Sequence, residues 1–409
     1  RQTPLAVRVS VAKQSEYEKT DVGPPTMRPL RLVKRSLTVV LAVCALYICF
    51  VAFKGLFVQP SNVEITEPYR LEPTASATED KPEWRKILLV AYGRSGSSLT
   101  SAIIDRHPDV FSIFEPLFTL EQRHPGRIKG PRQTLIQTKR MQDSYDNECI
   151  AILEIFLNCS FESMNVEDIG NFQLRNSPGS RLLWECSLST LQKTPRAALD
   201  CFLKARQACL RHPVKLVKSV RFRGQAVAQM MARNRDLKVL YLVRDPRGTI
   251  SSQNIAFWKL VTDETLNYTR KFCQMFREDL AAIQPLFDRY PDRIKLVRYE
   301  TLAEKPLLVS EELYGFLGLS FTSDVREFVF NSTSAGHKST YNFATDRANS
   351  TSAAYAWRRR IHFPVVQATD QFCADVYRKL GYLPLRSEAE LTDFRYKVKT
   401  DATFHGVAI

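Results

Sequence analysis

Short apolar runs, most of them rich in β-branched residues, recur along the chain after about residue 85. Runs of this length, bounded by polar or turn residues, are typical of buried strands. They predict strands at Ile87–Tyr92, Val110–Phe114, Val214–Val220, Lys238–Val243 and Ile294–Arg298.

Segments of helical composition lie between these runs. Helices are predicted at Leu99–Arg106, Gln225–Arg233, Pro246 to about Lys259, and Pro306–Leu317. Strands that alternate with helices indicate an α/β fold, with a parallel sheet covered by helices on both faces. The polar region 121–180 predicts helices and loops that form a lid or a wall of the site.

The N-terminal part has a different pattern. Leu37–Phe53 carries no charge, and the apolar stretch resumes at Gly55–Val58, which predicts a membrane-spanning helix over 37–58. Basic residues precede this stretch, so we expect residues 1–36 to be a cytosolic tail. A cleaved signal peptide is the alternative, but the polar lead is long for one.

The residues that follow, 59–84, are rich in Pro, Glu, Thr and Ser and predict a flexible lumenal stem. The catalytic domain is then 85–409. Four N-x-[ST] motifs, at Asn158, Asn267, Asn331 and Asn349, fit glycosylation in a lumen. Seven cysteines follow the predicted membrane segment, so we expect disulfides and at least one thiol that is free or intermolecular. Spacing does not give the pairing, although Cys201 and Cys209 are near each other in sequence.

Charge adds one constraint on partners. Lys and Arg total 58 against 43 for Asp and Glu, a net charge of +15. This excess favours an anionic partner. No nucleic-acid-binding motif is present, so we expect no nucleic acid, and the absence of a CxxC pair predicts no zinc site.

The first chemical motif follows the first strand. The turn Gly93-Arg94-Ser95-Gly96-Ser97-Ser98 leads into a helix at Leu99. Helix N-termini present unpaired N–H groups and a favourable dipole to anions, and glycines let the backbone approach them closely. The residues predicted to hold a phosphate are Gly93, Arg94, Ser95, Gly96, Ser97, Ser98 and Leu99. A plain Gly/Ser turn is the alternative. A Walker P-loop would need a Lys after Gly96.

The second motif follows the strand at Lys238–Val243. Asp245 is a predicted N-cap and Pro246 the first helical residue. Arg244 at the strand tip and Ser252 about two turns later can hold a second phosphate. The predicted set is Arg244, Asp245, Pro246, Arg247, Gly248, Thr249, Ile250, Ser251 and Ser252. The alternatives are a Walker B strand, or a structural ion pair of Arg244 with Asp245 or Glu115.

Four blocks together resemble the Golgi carbohydrate 6-O-sulfotransferases, and most of all their keratan/chondroitin-type branch. The blocks are GRSGSSL with VFSIFEPLF, LVRDPRGTISS, LVRYETLAEKP with EELYGFLGL, and GHKSTYNFATDRANSTSAAYAWR. Their order and spacing agree with that family over roughly Lys86 to Leu383.

The resemblance implies a P-loop-like sulfotransferase domain behind a single-pass anchor in the Golgi membrane, with the catalytic domain in the lumen. It implies the donor PAPS (3′-phosphoadenylyl sulfate) and no metal. The 5′-phosphosulfate would meet Gly93–Leu99, and the 3′-phosphate would meet Arg244 and Ser252. The acceptor would be the 6-hydroxyl of galactose or an N-acetylhexosamine in a glycan or glycosaminoglycan. A homodimer is left open.

Catalytic roles follow from position. Arg94 would stabilise charge on the leaving phosphate. Glu115, at the tip of a neighbouring strand, is the predicted general base, and a helix cap or an ion pair to Arg94 is its alternative. His107 is a second candidate, although a His before Pro at a helix end is more typical of a structural residue.

Five further residues have less direct indications of their roles. Lys218 and Arg221 would bind acceptor sulfates or carboxylates, or be solvated. Arg347 and Arg358 would close over the donor. For Trp357 the sequence favours a place in the core over stacking on adenine. The rival functions are a P-loop kinase or NTPase that binds ATP with Mg²⁺, and a catalytically silent membrane-anchored glycan-binding protein.

Overall fold

A central sheet of five parallel strands organises the fold in the computed structural model of the chain. The model describes residues 85–409 except 125–138, 166–167, 169, 191–194, 259–261 and 335–348. All of these belong to one compact unit, Glu79–Ile409. The strands are β1 Arg85–Ala91, β2 Val110–Phe114, β3 Val214–Ser219, β4 Leu237–Val243 and β5 Ile294–Arg298. The α/β prediction and all five predicted strands are confirmed, with β2 and β5 matching to the residue.

The strand order is β2-β3-β1-β4-β5, and every neighbouring pair is parallel. In the register, Leu88 of β1 lies beside Val217 of β3 and Val239 of β4. From β1 the chain goes to the edge strand β2 and returns to β3 on one side of β1, and it then crosses to the other side to form β4 and β5. The carboxyl end of β1 is therefore a switch point, where ligands of such sheets bind.

Helices cover both faces of the sheet. They are α1 Ser97–Asp105, α2 Phe118–Arg123, α3 Lys139–Leu157, α4 Pro178–Thr190, α5 Pro195–Arg211, α6 Gly224–Arg233, α7 Pro246–Gln253, α8 Thr262–Arg289, α9 Tyr299–Glu304, α10 Pro306–Leu317, α11 Ser323–Thr333, α12 Ser350–Tyr355, α13 Phe363–Phe372, α14 Ala374–Leu380 and α15 Glu388–Thr392. A short antiparallel pair, β6 Thr403–Phe404 and β7 Val407–Ala408, follows near the C-terminus.

Alternation along β1 divides the interior into two cores. Leu88, Val90 and Tyr92 face the core that includes side chains of α3, α6 and α8. Ile87, Leu89 and Ala91 face the core that includes side chains of α1, α10 and α11. Successive strand side chains point to opposite faces, so a strand with helices on both sides must be apolar at every position. This is why β1 appears in the sequence as a continuous apolar run.

Three disulfides join described residues: Cys159–Cys209, Cys186–Cys201 and Cys273–Cys373. Cys149 is free and buried, so the expectation of at least one free thiol is confirmed. Cys201 and Cys209 do not pair with each other. Both lie on α5, where eight residues span about 12 Å, which is more than a disulfide can bridge.

Among the described residues, no helix is both long and apolar enough to cross a bilayer. The predicted tail 1–36, membrane segment 37–58 and stem 59–84 lie outside the described residues.

Candidate anion-binding and active site

The turn after β1 has the backbone of an anion-binding loop. Arg94 and Gly96 both have left-handed backbone conformations, with φ of 69° and 93°. The hydroxyl of Ser95 donates to the carbonyl of Tyr92 at 2.6 Å, which holds the turn to the strand. The N–H of Thr100 donates to the carbonyl of Gly96 and forms the first bond of α1. The N–H groups of the residues between these two have no partner within the helix and point out of its N-terminus.

Gly96 is required by a close neighbour as well as by its φ angle. A Cβ added at this position would lie 2.1 Å from Cδ2 of Tyr299, the first residue of α9. The ring of Tyr299 also lies under the guanidinium of Arg244, with Cζ 4.9 Å from the ring centroid. Tyr299 thus supports both predicted phosphate segments. Its sequence neighbours do not single out Tyr299, although it lies within the LVRYETLAEKP block.

The two predicted phosphate segments meet at this edge of the sheet. Nη1 of Arg244 donates to the carbonyl of Arg94 at 2.8 Å. Nε of Arg94 donates to Oγ of Ser252 at 3.2 Å. The side-chain amide of Gln253 donates to the carbonyl of Gly93 at 2.7 Å. The loop after β1 and the segment that runs from Arg244 through α7 therefore form one site.

The guanidinium of Arg244 has one buried nitrogen that could still donate to a ligand. Its Nη2 donates to the carbonyl of Ala354 at 3.1 Å. Its Nε is buried and has no hydrogen-bond partner among the described residues. A buried donor without an acceptor is costly, so this nitrogen fits the neighbourhood of a phosphate oxygen.

The proposed structural ion pairs of Arg244 do not form. Asp245 pairs with Arg247 instead, with Nη2 at 2.8 Å from Oδ2. Asp245 also caps α7 by accepting the N–H of Arg247 at 2.9 Å, and Pro246 is the first helical residue, as predicted.

Some residues of the two predicted sets point into the interior. The side chains of Leu99, Arg247 and Ile250 are buried, and Arg247 pairs with Asp245 and Asp370. These three can contribute to an anion site only through their backbone. The sequence predicted these three as phosphate-binding residues because they lie within the two motifs. A motif does not show which way each side chain points.

Glu115 lies at the tip of β2 inside a buried cluster of charges. Its Oε1 accepts from Nζ of Lys218 at 2.5 Å and from the N–H of Val220 at 3.1 Å. Its Oε2 accepts from Arg221, whose Nε also donates to Glu121 at 2.7 Å. Glu115 itself has a φ of 51°, a strained conformation that the packing around it must hold in place.

The charges of this cluster set its protonation. Burial disfavours the ionised form of Glu115, but Lys218 and Arg221 outweigh it, so the pKa of Glu115 lies below its ordinary value. Burial lowers the pKa of Lys218; Glu115 opposes this shift and the charge of Arg94 adds to it. The cluster of Glu115, Lys218 and Arg221 is therefore electrostatically connected to the loop after β1.

Several predicted alternatives are resolved by these contacts. Glu115 makes its ion pairs with Lys218 and Arg221 and not with Arg94. Lys218 and Arg221 are buried side chains and not solvated ones. The two proposed acceptor-binding residues and the proposed base thus form a single unit.

The C-terminal residues have structural positions. Arg358 is buried and donates to the carbonyls of Leu391, Tyr396, Glu390 and Asp393, so its guanidinium holds this segment together and is not available to close over a donor. Trp357 is buried in a small core, as predicted. Nε2 of His107 lies 3.0 Å from Oγ of Ser320, which fits the structural interpretation. Arg347 lies outside the described residues.

The four asparagines of the N-x-[ST] motifs are exposed: Asn158, Asn267, Asn331 and Asn349. Asn349 also caps α12 by accepting the N–H of Ser352 at 2.8 Å. Glycosylation at these positions remains a prediction.

Similarity to known proteins agrees with this site. A model of the sulfotransferase family matches residues 86–323, a range that contains both phosphate segments and Glu115. Human carbohydrate sulfotransferase 1 is 30% identical over 343 residues, covering 75% of this chain and 81% of that protein. Human carbohydrate sulfotransferase 3 is 27% identical over 340 residues, covering 76% and 69%.

Among solved structures, mouse sulfotransferase SULT7A1 complexed with PAP aligns at 11% identity and a TM-score of 0.37, over 72% of this chain and 85% of that one. A likeness at this level carries no argument about ligands. The family model and the carbohydrate sulfotransferases, taken with the sheet and its loops, show that the chain belongs to the sulfotransferase family.

Proposed function

We propose that this protein transfers sulfate from PAPS to the 6-hydroxyl of galactose or an N-acetylhexosamine in a glycan or glycosaminoglycan of keratan or chondroitin type. The observation that carries the proposal is the junction of the two phosphate segments, where Arg244 donates to the carbonyl of Arg94 and Arg94 donates to Ser252. A donor with two separate phosphate groups fits two adjoining anion sites. The carbohydrate sulfotransferases among its relatives favour a sugar acceptor.

PAPS would supply the activated sulfuryl group, held at the N-terminus of α1. The N–H groups of this helix and Arg94 then stabilise the negative charge that develops on the phosphate side of the broken bond. Arg244, just before α7, and Ser252, in its last turn, hold the 3′-phosphate. These interactions position the donor and stabilise charge, which is the main catalytic task in transfers of this kind.

Glu115 is the proposed base for the proton of the acceptor hydroxyl. Its oxygens already accept from Lys218, Val220 and Arg221. An acceptor hydroxyl must therefore displace one of these donors or share an oxygen with it. Lys218, which donates to the same carboxylate, would lie beside the acceptor hydroxyl.

We place the catalytic domain in the Golgi lumen, behind a single membrane anchor. The three disulfides support this placement, because such bonds persist in oxidising compartments and are rare in the cytosol. The exposed asparagines of the four glycosylation motifs are compatible with it.

Incubation with labelled PAPS and a panel of desulfated glycans, followed by mapping of the sulfated carbon, tests the proposal. We expect transfer to C6 of one sugar type. Arg94→Ala and Arg244→Ala should each abolish transfer, while Arg326→Ala, at an exposed position on α11, should not change it. No transfer to any glycan of the panel, or sulfation at another carbon, would contradict the proposal.

A thermal-shift comparison separates the rival functions. A sulfotransferase should be stabilised by PAPS without added Mg²⁺, because binding to the folded state raises the unfolding temperature. Stabilisation by ATP with Mg²⁺ alone would indicate a kinase or NTPase. Binding of glycans with no response to either nucleotide would indicate a silent glycan-binding protein.

A further inference from the structure

A cavity of about 490 Å³ lies outside the site described above. Its lining includes Tyr355 and Glu304 on one side and the segment Phe394–Asp401 on the other. The volume lies in the range of ligand sites, and the lining combines three aromatic residues with charged ones, which suits a polar ligand that also has an apolar face. None of the residues predicted to bind the donor or the acceptor lines it, apart from Arg358, whose donors are occupied by backbone carbonyls.

Two aromatic rings are presented to solvent at this cavity. Phe394 is 44% exposed and Tyr396 is 49% exposed. Phe394 lies against two guanidiniums, since the Cζ atoms of Arg358 and Arg359 each lie 4.7 Å from its ring centroid. Neighbouring exposed aromatic residues indicate an interaction surface more strongly than scattered ones do.

Positive charge accompanies the two rings. Lys397 is exposed and makes no ion pair with any described residue. The carboxylate of Glu304, which also lines the cavity, is neutralised by Nζ of Lys399 at 2.9 Å and accepts the hydroxyl of Tyr355. Asp401 is then the remaining anion of the lining, against Lys397 and Arg358. The guanidinium of Arg358 donates only to neutral carbonyls and keeps its charge, so the lining has an excess of positive charge that favours an anionic ligand.

The cavity is connected to the donor site by two short elements. Tyr355 directly follows Ala354, whose carbonyl accepts from Arg244 at 3.1 Å. Glu304 ends α9, and Tyr299, which lies under Arg244, begins it. A helix of this length spans roughly 8 Å. A ligand in the cavity would therefore lie near Arg244, which we assign to the donor.

We propose that this cavity, lined by Phe394, Tyr396 and Lys397, binds an anionic oligosaccharide stretch of the acceptor chain at a distance from the sugar that receives sulfate. The apolar C–H face of a sugar ring packs on Phe394 and Tyr396, and a sulfate or carboxylate of the same stretch binds Lys397. This inference rests on the proposed function for the identity of the chain. It adds a second contact, which gives a long acceptor an advantage over a short one.

The test compares a long and a short acceptor of the same sugar sequence. We expect the double variant Tyr396→Ala/Lys397→Ala to raise KM for the long acceptor at least about fivefold. This is the loss of affinity expected when one modest cation or ring contact is removed. The value of kcat, and KM for a disaccharide acceptor, should not change. The matched control is Arg326→Ala/Phe330→Ala, a cation and a half-exposed aromatic residue on α11, which should leave KM for both acceptors as it is.

Binding separates this inference from the proposed function. A sulfated hexasaccharide, titrated into the wild-type protein by calorimetry, should bind, and the Tyr396→Ala/Lys397→Ala variant should bind it at least about fivefold more weakly. Binding without any sulfate transfer would overturn the proposed function and keep the cavity as a glycan site. An equal KM change for both acceptors, unchanged binding in the variant, or displacement of the hexasaccharide by adenosine 3′,5′-bisphosphate would overturn the inference.

Discussion

The replacement Glu115→Gln tests the proposed base. Glutamine keeps the shape of the side chain but removes its charge. The carboxylate now accepts hydrogen bonds from Lys218, Val220 and Arg221. The amide oxygen of glutamine can accept only some of these bonds. Its amide nitrogen is itself a donor and must face at least one of the three donors. If Glu115 takes the proton, kcat should fall by about 10²–10⁴-fold, whereas the affinity for PAPS should be retained.

The same replacement should also cost stability. Lys218 loses its counter-charge in a buried place, while Arg221 keeps Glu121 as a partner. Removing one member of a buried ion pair costs about 3–5 kcal/mol. The unit Glu79–Ile409 has about 330 residues, and at about 2.1 cal/mol/K per residue its unfolding entropy is about 0.7 kcal/mol/K. The expected fall in Tm is therefore about 4–7 °C.

A second replacement separates the two effects. In Glu115→Gln/Lys218→Met the unpaired ammonium is gone, and most of the lost Tm should return because the buried charge no longer lacks a partner. Calorimetry gives Tm and PAPS affinity, and turnover is measured at saturating PAPS. If Glu115→Gln keeps full kcat, or if kcat returns together with Tm in the double variant, the assignment of Glu115 as the base is wrong.

Three further predictions concern pH and packing. Lys218 and Arg221 hold the pKa of Glu115 below its ordinary value despite burial. Glu115 should therefore produce no acid limb in a profile of kcat/KM between about pH 5 and 8. An acid limb in that range that shifts in the Glu115→Asp variant would refute this. Burial raises the pKa of Asp146 to about 6. Ionisation of Asp146 therefore lowers the stability of the folded state as pH rises from about 4 to 6. Asp146→Asn should raise Tm at pH 7 and flatten the profile of Tm against pH between about 4 and 6. Gly96→Ala must accommodate a Cβ 2.1 Å from the ring of Tyr299 at a strained φ. Tm should therefore fall, and the affinity for PAPS measured by calorimetry should drop. Unchanged affinity would contradict the role of this turn in binding the donor.

The sequence predicted the sheet well because its strands carry a strong local signal. A strand buried on both faces must be apolar where it is covered, and β1 is such a run from Ile87 onward, with Gly93 two residues after its end. The N-cap of α7 was predictable for the same reason, since Asp245 and Pro246 act within a few residues of one another. The two phosphate segments were therefore identifiable one at a time.

Contacts between distant segments were not predictable in this way. The disulfide Cys159–Cys209 closes a separation of 50 residues, and nothing in the spacing of the cysteines selects it. The role of Tyr299 was missed because its importance comes from the two groups it touches, Gly96 and Arg244, and not from its own neighbours in sequence.

The amino-acid sequence alone determined the five strands of the central sheet, four of the helices, the glycine turn and the two arginines that follow strand ends, because each depends on residues close together in the chain. Only the tertiary structure decided that Arg244 meets the carbonyl of Arg94, and that Lys218 and Arg221 enclose Glu115. The physical reason is that the order of strands in the sheet sets which side chains share a space, and with it their burial, their charge partners and the pKa of Glu115.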